Sequence, residues 1–174
     1  LTLLLFRIVW GFMGGHWSRW AQLPLSPARV WAYLNGRHNT TDFAGHNPLG
    51  SWSVVVFLVI LLLQVSTGLI SDDEISNMGP LSSLVSGQWV TWATSWHKQW
   101  GQWLVFFLVV LHLLALLWYQ FRKRLSLVPA MVHGDKTLTG SVPESQDRVI
   151  HRVLALVLLV MASLAVWALL SLGT

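Results

Sequence analysis

His97 and His112 stand at the two ends of the run WHKQWGQWLVFFLVVLH, residues 96 to 112. Imidazole is the commonest metal-ligating side chain, and an ionisable group inside an apolar helix is costly unless it has a task. Fifteen residues at about 1.5 Å each set the pair ~22 Å apart along a helix, while fifteen steps of ~100° leave them only ~60° apart around the axis. They cannot share one metal ion. They can each serve one of two flat cofactors stacked at different depths. A haem suits this geometry, because its iron takes one histidine from each of two facing helices. Gly101 and Ala115, one turn from His97 and His112, are small enough to let a macrocycle approach. The competing reading of either histidine is a structural imidazole satisfied by hydrogen bonds, and spacing alone leaves both open.

The elements that must carry these residues are apolar. Of 174 residues, 54% are hydrophobic and 10% are charged, against about 25% charged in an ordinary soluble domain. The 12 Trp suit membrane interfaces, where the ring is buried and the N–H stays wet. A net charge of +4 without a Lys/Arg tract reports topology and not nucleic-acid binding. With no cysteine, disulfides, thiolate zinc sites, Cys-ligated iron–sulfur clusters and covalent c-type haem are excluded.

Apolar runs place one partial and three complete spans. Residues 1–12 are too short to cross a bilayer, which takes about 20 residues. They lack a signal-peptide cleavage site and read as the end of a helix that starts upstream. Ser26, Pro27 and Gly36 bracket a short amphipathic helix at 27–35, whose Val30, Trp31 and Leu34 share one face, lying on the membrane surface. Spans follow at 51–70, 92–119 and 149–170, with a loop over 125–147. The expected fold is an all-α integral membrane helical bundle, a single domain over 1–174. The Trp series 89, 92, 96, 100 and 103 reads as an interface belt. Arginines in 13–50, and Lys/Arg in 122–152, mark the cytoplasmic side by the positive-inside rule, while Asp72, Asp73 and Glu74 mark the outer side. His97 then lies near the outer face and His112 toward the cytoplasmic half.

The segments FRIVWGFMGGHWSRW, GHNPLG, LLLQVSTGLISDD, GPL and WHKQWGQWLVFFLVVLH, in this order, resemble the bacterial cytochrome b subunits of the Ni,Fe-hydrogenase type over about residues 3 to 134. Formate-dehydrogenase gamma subunits are similar at a greater distance. The resemblance implies a di-haem b-type electron carrier in the bacterial inner membrane. It would exchange electrons between quinone and an outer-face redox subunit, hydrogenase-like and carrying Fe–S clusters or c-type haem. Such a chain is an electron-transfer subunit and not a self-contained enzyme. His97 and His112 match the family's two axial ligands on one helix. The opposite ligands, an R-x-x-H-W and a second-helix histidine, are expected upstream of Leu1, so the sequence reads as lacking an N-terminal helix.

Further residues take roles inside this resemblance. Arg7, in an apolar run, and Arg19, at its margin, are candidate partners for haem propionates, which pair bidentately with guanidinium. For Arg19 an ordinary cytoplasmic anchor competes. His46 and Asn47 could line a quinone pocket, or serve as a cap and turn with Pro48. Gln64 reads as an inter-helix hydrogen bonder. His16, His38 and His133 read as solvated loop residues. His151, in DRVIH, resembles the family's R-x-x-H and is a candidate ligand from the last span. Two rival functions are a haem-free membrane anchor for a redox complex and a small transporter relaying protons through histidine. The second predicts Gly/Pro-broken helices at mid-span, which the complete spans lack.

Overall fold

The computed structural model describes residues 1–37, 44–75, 77–124, 127–134, 141–146 and 148–173. His38, Lys136 and Gly140 lie outside the described residues. Among those described there is no β-strand, only an isolated bridge between Asp72 and Met78. The chain is all-helical, with three helices long and apolar enough to cross a membrane.

The first helix, α1, runs over Thr2–Met13. The chain then folds back along it through two 3₁₀ turns, His16–Ser18 and Trp20–Gln22. Trp20 locks this return: its Nε1 donates to Ile8 O at 3.0 Å, and its ring covers buried Gly11. Helix α2, Pro27–Leu34, starts with proline at its first position, where the missing N–H costs nothing. Ser26 sits at the N-cap without making a side-chain capping bond. At the other end Gly36 adopts φ 77°, a left-handed conformation that lets Arg37 N reach Ala32 O at 2.9 Å. Tyr33 is buried, while Trp31 and Leu34 point outward, 70% and 60% exposed.

Helix α3, Pro48–Ile70, is 23 residues long, about 34 Å of helix against a hydrocarbon core of about 30 Å. It starts three residues earlier than the apolar run because Asn47 caps it: Asn47 Oδ1 accepts from Gly50 N at 2.7 Å. At its far end the following loop closes back on it, Leu81 N donating to Leu69 O at 2.9 Å and Gly79 N to Ser71 O at 2.7 Å. Thr94 ties the same loop to the next helix through Asp72 N at 2.9 Å.

That next helix, α4, spans Gly87–Phe121. It begins well before Trp92, so its first turns stand beyond the apolar stretch, with Trp89, Trp92, Trp100 and Trp103 exposed. Its regularity is interrupted by a π-helical turn over Trp96–Gly101. A short helix, α5, over Val128–His133 occupies part of the segment expected to be loop. Helix α6, Val149–Leu170, packs mainly against α1, whereas α3 packs on α4. The segment ahead of α6 is pinned to the α1 return by Trp17 Nε1, which donates to Pro143 O at 3.0 Å.

Candidate functional site

A π turn widens the helix and disturbs its hydrogen-bond ladder, and such turns recur at functional sites. Here the turn carries His97. Gln64, on α3, sends its side chain across to it, Nε2 donating to His97 O at 3.0 Å. The bond is reciprocated: His97 Nδ1 lies 2.9 Å from Gln64 O. A carbonyl can only accept, so Nδ1 carries a proton, and in the neutral ring Nε2 holds the lone pair. Thr67 buttresses the pair. Its hydroxyl donates to Leu63 O at 2.8 Å and to Gln64 O at 3.0 Å, and lies 3.5 Å from His97 Nδ1.

Two glycines make this approach possible. A Cβ on Gly68 would fall 2.7 Å from His97 Cε1, so only glycine admits the ring there. Gly101 was expected to leave room for a macrocycle. Instead it is buried and its space is filled by Gln64 Oε1, with Trp96 Nε1 3.0 Å from the Cβ position. Gln64 Oε1 and Trp96 Nε1 are both buried without a hydrogen-bond partner among the described residues. Trp96 therefore departs from the interface belt read in the sequence; it stacks on Trp92, ring centroids 6.3 Å apart, with its N–H turned inside.

His112 also meets α3, its ring edge-on to Phe57 at 5.8 Å and 84°. It is exposed on the surface of an apolar helix. Both histidines thus touch the same neighbouring helix, at different levels. The ~60° estimate assumed an unbroken α-helix, and the π turn at His97 removes that assumption.

The remaining candidates lie apart from this pair. Arg7 is engaged by the return that follows α1: Nη1 donates to Ser18 O at 3.1 Å and the guanidinium lies 4.3 Å from the centroid of the Trp20 ring. Arg19 Nε donates to Gly14 O at 2.9 Å. Asn47, beside its capping bond, donates from Nδ2 to Tyr119 Oη at 2.9 Å, and Tyr119 Oη lies 2.8 Å from Tyr33 Oη. This network joins α2, α3 and α4. Tyr119→Phe strips two polar groups of a shared partner and is expected to lower stability by about 1–2 kcal/mol, read as an earlier thermal melt in detergent. His46 is exposed and lines an open cavity of about 310 Å³ with His16, Trp17, Gln22, Pro24, Arg29 and Pro143. His16, read as a solvated loop residue, is half-buried and packs edge-on against Trp17 at 4.8 Å. His151 sits in the first turn of α6, its Nδ1 buried without a partner among the described residues. No cluster of three or more His, Asp or Glu among the described residues could hold a bare metal ion.

At the His97 level the residues fit a haem. A ligating histidine ordinarily donates its second ring nitrogen to a carbonyl, which fixes the ring and its tautomer, and His97 does so through Gln64 O. The family model for prokaryotic cytochrome b561 matches residues 1–134. The chain belongs to the prokaryotic cytochrome b561 family. It is a multi-pass membrane cytochrome of b type. Among curated proteins it is similar to a probable Ni/Fe-hydrogenase B-type cytochrome subunit of Bradyrhizobium diazoefficiens, 26% identical over 152 aligned residues covering 76% of this chain. The chain spans 60% of that relative's length. No solved structure matches. Within the family match, sequence reasoning singled out both α4 histidines but passed over Thr67 and Gly68. The stretch QVSTG held the signal, since a Gln, a Thr and a Gly fall within one turn and a half of an otherwise apolar span.

Proposed function

We propose that this cytochrome carries electrons across the bacterial inner membrane through two non-covalent b haems, with His97 and His112 as one axial ligand of each. The observation that carries this reading is the His97 Nδ1 bond to Gln64 O, which leaves Nε2 as the free lone pair on a fixed ring. His112 adds support, because an imidazole exposed within an apolar span is costly unless a nitrogen is engaged. When bound, haem supplies reversible one-electron chemistry; the chain supplies ligands, burial and hydrogen bonds. Arg7 and Arg19 each use one guanidinium donor on a main-chain carbonyl, and a guanidinium has several, so the others suit haem propionates. His151 is a further candidate ligand at the start of α6.

The Arg-rich end is the cytoplasmic side and the Asp72–Glu74 end the outer side. On that orientation His46 and Asn47 lie at the cytoplasmic end, where the open cavity beside His46 suits a quinone head group. The redox partner docks at the outer side. The name of the Bradyrhizobium relative, a probable Ni/Fe-hydrogenase B-type cytochrome subunit, supports a hydrogenase-type partner. A reduced-minus-oxidised difference spectrum of the purified protein tests the reading. A b-type α-band is expected, and its absence sinks the cytochrome reading in favour of a haem-free anchor.

A further inference from the structure

Gln64 is the one amide within α3's apolar run, and it makes contacts that a simple inter-helix tether does not need. Its main-chain carbonyl takes the His97 Nδ1 proton at 2.9 Å, and its side-chain Nε2 holds the His97 carbonyl at 3.0 Å. One residue therefore grips both the ring and the backbone of His97. The gripped backbone lies in the π turn Trp96–Gly101, and the amide oxygen packs into the space above Gly101. Thr67 shares the Gln64 carbonyl at 3.0 Å, which limits how far that acceptor can shift.

We infer that Gln64 is a positioning residue that sets the orientation and donor strength of the His97 imidazole; the inference rests on His97 being a haem ligand. The physical chain is short. An Nδ1–H bond to a carbonyl makes the imidazole a stronger donor to iron, which favours the oxidised metal. The bond is as good as the alignment of ring and carbonyl. That alignment is held by the π turn, and the turn is held by the Gln64 amide. Removing the amide while leaving the main-chain carbonyl in place lets the turn relax, weakens the Nδ1 bond and raises the reduction potential of the His97 haem.

The test compares Gln64→Met, close in length but without the N–H, with His97→Ala in the purified cytochrome. His97→Ala identifies the His97 haem as the signal that disappears. In Gln64→Met that same haem is expected to shift about tenfold toward the reduced form at a fixed potential, ~59 mV for one electron. Its low-spin EPR signal, which follows imidazole orientation, is expected to move with it, while the His112 haem stays as in the wild type. If Gln64→Met leaves the His97 haem at its wild-type potential and EPR position, the inference is overturned and haem ligation by His97 stands. A parallel shift of both haems also overturns it, because it reports general loosening of the bundle. If His97→Ala keeps both haems, the ligand assignment itself fails and the inference with it.

Discussion

His97→Ala is expected to abolish one of two b-type haems while the helical bundle survives. In the reduced-minus-oxidised spectrum the α-band should fall by about half, with the far-ultraviolet circular dichroism unchanged. The ring is half-buried and its known bonds are to Gln64 O and, at longer range, Thr67 Oγ1. Losing them leaves one carbonyl that Thr67 still serves at 3.0 Å, so the cost to folding is on the order of 1 kcal/mol. The cost to the cofactor is total at that level, because the imidazole held against Gln64, Thr67 and Gly68 is that of His97. A haem content equal to that of the wild type contradicts the assignment.

Gly101→Val is expected to be the most disruptive single change in packing. A Cβ at this position meets Gln64 Oε1 at a separation no real contact allows, and Trp96 Nε1 stands 3.0 Å away. Both neighbours lose an interaction if they retreat. The Gln64 side chain is bonded to His97 O, and the Trp96 ring is stacked on Trp92. Overpacking a close-packed contact costs about 1–3 kcal/mol. Expelling Gln64 adds the loss of a buried hydrogen bond, about 1 kcal/mol more. Thermal unfolding in detergent should shift down clearly, and the His97 haem should be lost before the His112 haem. Gly101→Ala should show the same order of loss at smaller amplitude. A melt like that of the wild type for the valine variant contradicts the packing.

The all-α membrane architecture was legible because length and hydropathy decide it. Twenty-odd apolar residues in a row have one stable form in lipid, whatever their β-branched content. The fine geometry of α4 was not legible. Nothing in the composition of WHKQWG marks a π turn, because its partner sits on another helix: the Gln64 amide, which bonds His97 O and packs into the space above Gly101. The same cause reversed the expected role of Gly101, whose missing side chain makes room for glutamine and not for a macrocycle. Gln64 itself was readable as an inter-helix hydrogen bonder, since an amide in an apolar span must find a partner. The half-burial of His16 was not legible, because its cavity neighbours Arg29 and His46 come together only when the 13–50 connection folds. Spacing alone picked out the two α4 histidines as a pair at two depths, the resemblance supplied their ligand role, and the structure adds their contact with one neighbouring helix.

The proposed function puts two haems on α4, one at His97 and one at His112. Its most direct test is the haem-to-protein ratio, measured by pyridine haemochromogen on purified wild type and the His97→Ala/His112→Ala double variant. Two haems per chain are expected in the wild type and none in the double variant, with the protein still folded. A folded double variant that keeps its haem contradicts it.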